Sequence, residues 1–357
     1  MSIAPAQMSL NELVPADHSE ISFLASREAL RWKTWFYKGL LPLLARRGAV
    51  QAGQDLERAG TLMHGWWRPR RKQLLKVVPQ EVLHADPGRT PEDVIQGISA
   101  QMLRYMARDC IFGRTEPDEW NDIFEVEGFE AVEETAGRGQ GAIFLGSHLG
   151  GHLAALHWMI AHGVSLRMLV QRPKNVSPGL DAWFDQDHPI CDQRNLFLRR
   201  DLNPAEAARR TVEVRRLIRN GISVYTNCDI CWSGPNTDSC RFLGQDVRFQ
   251  SIWIDLAMVL GCPVIGVECR QLGGGRFRLT FRKPESIGSR DVRQDVFERT
   301  ILRLERSILN YPDDAVAHLT WSLFRPRRKI IGDTGHSGPS QMGAASHRCA
   351  RSDSHSS

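Results

Sequence analysis

The stretch Gly141-Ala-Ile-Phe-Leu-Gly-Ser-His148-Leu-Gly-Gly-His152 holds the residues best placed to do chemistry. A run of apolar residues stops at Gly146-Ser147-His148, and two glycines follow before a segment of helical composition. In an open α/β sheet, functional side chains gather at the carboxyl ends of strands, and His148 falls at such an end. Imidazole titrates near neutral pH and takes a proton from an attacking hydroxyl. Gly150 and Gly151 let a ligand approach backbone N–H groups at a helix start, where the dipole favours developing negative charge. Taken alone, the same residues also suit a structural histidine capping a helix.

The elements that must position His148 follow from hydrophobic rhythm. Residues 1–19 read as a flexible leader and 20–122 as a helical N-terminal region packed on the core. In that region Trp32, Trp35 and Phe36, with leucines on either side, recur three or four apart. A second helix is predicted over 91–112, opened by Pro91-Glu92-Asp93. From Ile123 short apolar runs alternate with amphipathic stretches of helical length. Strands are expected at 124–126, 142–147, 166–170, 222–227, 264–268 and 277–282, and helices at 150–161, 204–220, 251–260, 292–309 and 315–324. Further short segments fall at 179–184 and 195–198. This order predicts an α/β fold, a mostly parallel central sheet flanked by helices with an N-terminal helical cap. The α/β domain runs over 123–328. The tail 329–357, rich in Gly, Ser and His, reads as disordered.

Read whole, residues 123–284 resemble the lipid A biosynthesis lauroyl/myristoyl acyltransferases, within the wider lysophospholipid acyltransferase superfamily. Four blocks carry the resemblance in order: Phe124 to Val132 with the histidine block Gly139 to Gly151, then Val170-Gln-Arg172-Pro-Lys174-Asn175. Gly221 to Asp229 comes third, and Arg241-Phe242-Leu-Gly244, Ser251 and Gly261-Cys-Pro-Val-Ile form the last. The resemblance implies acyl transfer from acyl-CoA or acyl carrier protein to a hydroxyl or amine, with His148 as general base and no metal or redox cofactor. Acceptors would be a lipid, a sugar or a specialised metabolite. Gly150, Gly151 and His152 would lie against substrate, and Arg172 and Lys174 would face the same edge and bind phosphate, as would Arg248. Phe242, Gly244 and Ser251 would shape the pocket wall.

One position departs from the family. The signature places an acidic residue five positions after the histidine, and here that residue is Leu153. Asp229, after the strand 222–227, is the favoured substitute because a base needs an orienting partner within hydrogen-bond reach. Help from His152, or lost activity in a binding protein that keeps the acyl pocket, are the alternatives. A thioester hydrolase is a third reading, though no Gly-x-Ser-x-Gly elbow occurs.

Composition bounds the partners. The formal charge of +5 is mild, and basic clusters at residues 68–72, 199–200, 209–210 and 325–329 suit phosphate-bearing ligands or a membrane surface. No nucleic-acid module accompanies them. No run reaches the roughly 20 apolar residues needed to cross a bilayer. A cytoplasmic protein, peripheral on the inner membrane face, is therefore expected. The eight cysteines sit in apolar context as reduced thiols. Cys228, Cys231 and Cys240 lack the second pair that a structural zinc site needs. Gly273 to Gly275 reads as a turn between strands, because no helix opens there.

Overall fold

The computed structural model describes residues 32, 35–66, 78–107, 109–112, 115–169, 204–231, 236–288 and 292–320. The leader, the tail, the basic clusters at 68–72, 199–200 and 325–329, Arg172, Lys174 and the segments 179–184 and 195–198 lie outside the described residues.

The described chain is α/β around a six-stranded sheet. Its strands are β1 (Phe124–Glu127), β2 (Ile143–Gly146), β3 (Leu166–Met168), β4 (Ser223–Asn227), β7 (Val264–Gln271) and β8 (Phe277–Phe281). The order across the sheet is β1-β8-β7-β2-β4-β3. All neighbours are parallel except β7 and β8, which form an antiparallel hairpin through the turn Gly273–Gly275. A separate two-stranded hairpin, β5 (Thr237–Phe242) and β6 (Gln245–Gln250), turns at Leu243-Gly244.

Side chains alternate across a strand, and in β2 both faces are apolar. Ile143 and Leu145 enter one core and Phe144 the other, so the sheet must be covered on both sides. Helices α5 (Pro204–Arg219), α6 (Ile252–Leu260) and α7 (Arg293–Asn310) contribute Leu217, Trp253 and Phe297 to the first core. Helix α4 (His152–Ala161) contributes Leu156 and Met159 to the second, which residues before the sheet such as Leu56 and Phe112 also fill. Of the helices before the sheet, α1 (Ala49–Trp66) and α2 (Pro91–Ala107) pack on each other. Two shorter ones are α3 (Glu130–Gly137) and α8 (Val316–Thr320).

The expected helix over 91–112 stops at Ala107, and a separate 3-10 turn follows at Cys110–Phe112. Among the described residues no helix is long and apolar enough to cross a membrane.

Candidate active site

The strand β2 delivers His148 to the carboxyl edge of the sheet, and β4, its parallel neighbour, delivers Asp229 to the same edge. The register pairs Gly146 with Asn227, so residues two positions beyond each partner meet above the sheet. There Asp229 Oδ2 accepts the His148 backbone N–H at 2.7 Å, and Oδ1 lies 2.9 Å from His148 Nδ1. A second imidazole closes on the other side. His318 Nε2 lies 2.8 Å from Asp229 Oδ2, so the carboxylate sits between two histidines.

The Asp229 and His318 side chains are fully buried, whereas that of His148 is 26% exposed. Burial by itself would raise the Asp229 carboxyl, yet the charge and hydrogen bonds of His148 and His318 outweigh it and hold the group well below the usual carboxylate range. An ionised carboxylate at Nδ1 fixes the hydrogen there and leaves Nε2 as the basic nitrogen. Asn227 Nδ2 lies 3.5 Å from that Nε2. The arrangement is a buried acid and an oriented, partly exposed imidazole whose second nitrogen is the basic one.

Leu153, where the resemblance would imply a carboxylate, is 2% exposed and packs in the second core. It has no route to the imidazole. His152 opens α4 with its ring 5.2 Å from that of His148 and 5.7 Å from Tyr105. It stands beside the base, while Asp229 takes the orienting position.

The two glycines have a different duty from the one expected. Gly150 N–H donates to Asp314 O at 3.0 Å and Gly151 N–H to Cys269 O at 2.8 Å. Both donors are engaged by the protein, so neither is presented to an oxyanion. The need for glycine comes from packing. A Cβ on Gly150 would lie 2.4 Å from Cys269 O, at a backbone φ of +53°, and one on Gly151 would lie 2.6 Å from the Phe277 ring.

The late block divides. Phe242 is 1% exposed and its ring stands 6.4 Å from that of His318, with Phe249 edge-on at 5.2 Å, so it backs the second histidine. Gly244 lies in the β5–β6 turn, facing the Glu81 carboxylate. Arg248 is exposed on β6, because Val247 and Phe249 on either side point into the core and the strand alternates. Ser251 is fully buried; its hydroxyl donates to Asn236 O at 3.2 Å and accepts from Arg293 at 3.1 Å. Arg293 also binds Asp238 and Asp255, so Ser251 ties β5, α6 and α7 together.

His318 is the residue that sequence reading missed. It lies 89 positions from Asp229 on a short helix, and its only signal is a histidine within an apolar stretch. The segment before it matters as well: Asp314, in the turn Pro312–Asp314, accepts the Gln271 N–H at 3.1 Å through its carboxylate and the Gly150 N–H through its carbonyl.

A groove opens beside the histidine loop, between β7 and α7. Leu145, Leu149, Trp253, Val296 and Leu304 give it an apolar lining, and Ser147 stands within it. Arg282, Lys283 and Arg303 add positive charge, with Arg282 3.2 Å from Glu268 and Arg303 3.8 Å from Glu285.

Other chemistry-bearing groups have structural duties. His157, one face along α4, lies 3.3 Å from buried Asp109 and packs against Phe112 and Trp120. Burial pushes the Cys231 and Cys240 thiols up to about 12, away from a nucleophilic thiolate. Among the described residues no three His, Cys, Asp or Glu side chains group to hold a metal ion.

No protein-family model matches the chain, and no curated protein matches it.

Proposed function

We propose that this chain is an acyltransferase that moves an acyl group from a thioester, acyl-CoA or acyl carrier protein, to a hydroxyl or amine acceptor. The observation that carries the reading is the hold of Asp229 on His148 through both the backbone N–H and Nδ1, which leaves Nε2 as the basic nitrogen of a partly exposed ring. Such a base serves nucleophiles whose own pKa is too high for attack at neutral pH.

In the proposed step, Nε2 takes the acceptor's proton as its oxygen or nitrogen bonds to the thioester carbonyl carbon. The tetrahedral adduct then expels sulfur as the C–S bond breaks, and the proton passes from Nε2 to the departing thiolate. An ester or amide and a free thiol leave. Asp229 stays ionised throughout and stabilises the imidazolium between the two proton transfers. With the Gly150 and Gly151 N–H groups engaged, the charge on the adduct would fall to a side-chain donor.

The groove supports the same reading. Its apolar lining suits an alkyl chain and its cationic side chains suit the phosphates of a thioester carrier. The likeness of residues 123–284 to lipid A acyltransferases agrees with this choice of chemistry, and a peripheral place on the cytoplasmic face of a membrane would put a lipid acceptor within reach.

The test is thiol release from a panel of acyl-CoAs, with and without acceptor extract, followed by mass spectrometry of products. Acceptor-dependent release by the wild type, abolished in His148→Ala, is expected. Release that ignores acceptor would make the enzyme a hydrolase. Saturable acyl-CoA binding without turnover would make it a binding protein.

A further inference from the structure

Helix α7 sorts its charges by side. Its buried face is Phe297, Ile301, Leu304 and Ile308, and Arg299, Arg303 and Arg306 repeat that helical spacing on a second stripe that is exposed. Glu298 and Glu305 lie on the other flank, where Glu298 takes the Gln294 amide and Glu305 accepts the Leu243 N–H. Asp295 stands in the first turn, where the helix dipole favours an acid. Helix stability alone does not explain this pattern. Like charges three or four positions apart repel, whereas mixed signs along one face would attract.

The arginine stripe runs along the groove beside the histidine loop. Thr300, Arg303 and Ser307 line that groove from α7, and Arg282 and Lys283 line it from just beyond β8. Arg282 pairs with Glu268, and Glu285 holds both Arg299 and Arg303. Lys283 and Arg306 are exposed and form no ion pair among the described residues. From Arg299 to Arg306 the stripe spans about 10 Å, and Leu302, 43% exposed, stands beside it. A cluster of phosphates would be met by cations converging on one point. Cations drawn out along a helix, with an exposed leucine among them, match an extended acidic surface with apolar contacts.

We propose that this rim docks a protein partner, an acidic carrier whose phosphopantetheine arm bears the acyl thioester. The carrier's carboxylates lie against Arg299, Arg303, Arg306 and Lys283, an apolar side chain meets Leu302, and the arm passes from the rim into the groove. The thiol released in the transfer step then stays on the carrier's arm. The proposal rests on the acyl-transfer reading for the cargo and on the charge pattern of α7 for the partner. It selects a carrier protein over acyl-CoA as the donor, because acyl-CoA brings no extended acidic surface to cover the stripe.

The experiment uses the full chain with a fluorescein-labelled, phosphopantetheine-bearing acyl carrier protein, and follows binding by fluorescence anisotropy apart from turnover. Saturable binding is expected, weakening by about tenfold or more as salt rises and charge is screened. Arg306→Glu and Leu302→Ser alter exposed positions outside the groove lining. Each should weaken binding, Arg306→Glu by about tenfold, while Arg306→Lys keeps it. With decanoyl donors, Arg306→Glu should raise KM for the acylated carrier and leave decanoyl-CoA turnover as in the wild type, which a folding defect would not do. Carrier binding that is absent, or equal in the wild type, Arg306→Glu and Leu302→Ser, overturns the proposal; with decanoyl-CoA still turned over, acyl transfer stands. Loss in Arg306→Glu of binding to phosphatidylglycerol vesicles, with carrier binding intact, gives the stripe to a membrane surface and overturns the proposal too. Arg306-dependent carrier binding in a protein that releases no thiol keeps the docking surface and overturns acyl transfer. Neither binding nor turnover overturns both.

Discussion

Asp229 grips His148 twice, with Oδ2 on the backbone N–H at 2.7 Å and Oδ1 against Nδ1 at 2.9 Å. The first contact fixes where the loop leaves β2, and the second fixes which ring nitrogen carries the hydrogen. One buried carboxylate therefore sets both the position and the tautomer of the base. His318 holds that carboxylate from its other side.

Replacing Asp229 should separate these effects from folding. Asp229→Asn keeps an acceptor for one contact but loses the charge that stabilises the imidazolium. A fall in kcat of roughly 10²–10⁴-fold with little change in KM for acyl-CoA is expected. The carboxyl is depressed in the folded chain, so its stabilisation is present above its unfolded pKa of about 3.9 and is lost as pH falls below that value. Acid unfolding followed by circular dichroism should accordingly be shallower in Asp229→Asn than in the wild type below about pH 4.

His318 is expected to act through Asp229 alone. His318→Gln can still donate from its amide to Oδ2, whereas His318→Ala cannot and leaves a void against Phe242. Glutamine should retain most of the activity, and alanine should lower kcat by about tenfold or more and displace the pH profile of kcat/KM. Equal profiles for wild type and His318→Ala would remove the residue from the mechanism.

Gly150→Ala tests the packing role of the loop glycines. The added Cβ would meet Cys269 O at 2.4 Å in a left-handed backbone conformation. A loss of about 1–3 kcal/mol in urea unfolding is expected. Any loss of activity should follow from displacement of His148, since the Gly150 N–H already serves Asp314 O.

Asp314 predicts an opposite pH dependence. Burial raises its carboxyl to about 7, against the pull of Arg270, the Gln271 N–H and Arg104. Between about pH 4 and 7 the unfolded chain has released this proton while the folded chain retains it, so the group's contribution falls as pH rises and levels off above about 7. Asp314→Asn removes that penalty. Its Tm should exceed the wild type's by several degrees at pH 8, to within about the usual conversion of stability into Tm, and match it near pH 4.

Much of this architecture was legible in the residues themselves. The apolar run of β2 with its abrupt polar end placed His148 at a strand terminus, and the alternation of short strands with helices required a sheet covered on both faces. These are local signals, because strand and helix periodicity act over a few residues. The hairpin β5–β6 was harder to see. It stands outside the main sheet, and charged residues such as Asp238, Arg241 and Arg248 line much of it. Their types suggested Arg248 and Ser251 as pocket residues; the structure shows Arg248 exposed on β6 and Ser251 buried against Asn236 and Arg293.

The sequence by itself determined that a histidine would end a buried strand and that Asp229 would end another. Only the tertiary structure decided that those strands are parallel neighbours with Gly146 opposite Asn227, which brings the two side chains into contact. It also brought His318 from near the end of the described chain onto the same carboxylate, and turned the glycine N–H groups toward Asp314 and Cys269. Contacts between residues 80 or more positions apart leave no periodic trace, because they depend on which strands pair and which helix closes over the edge.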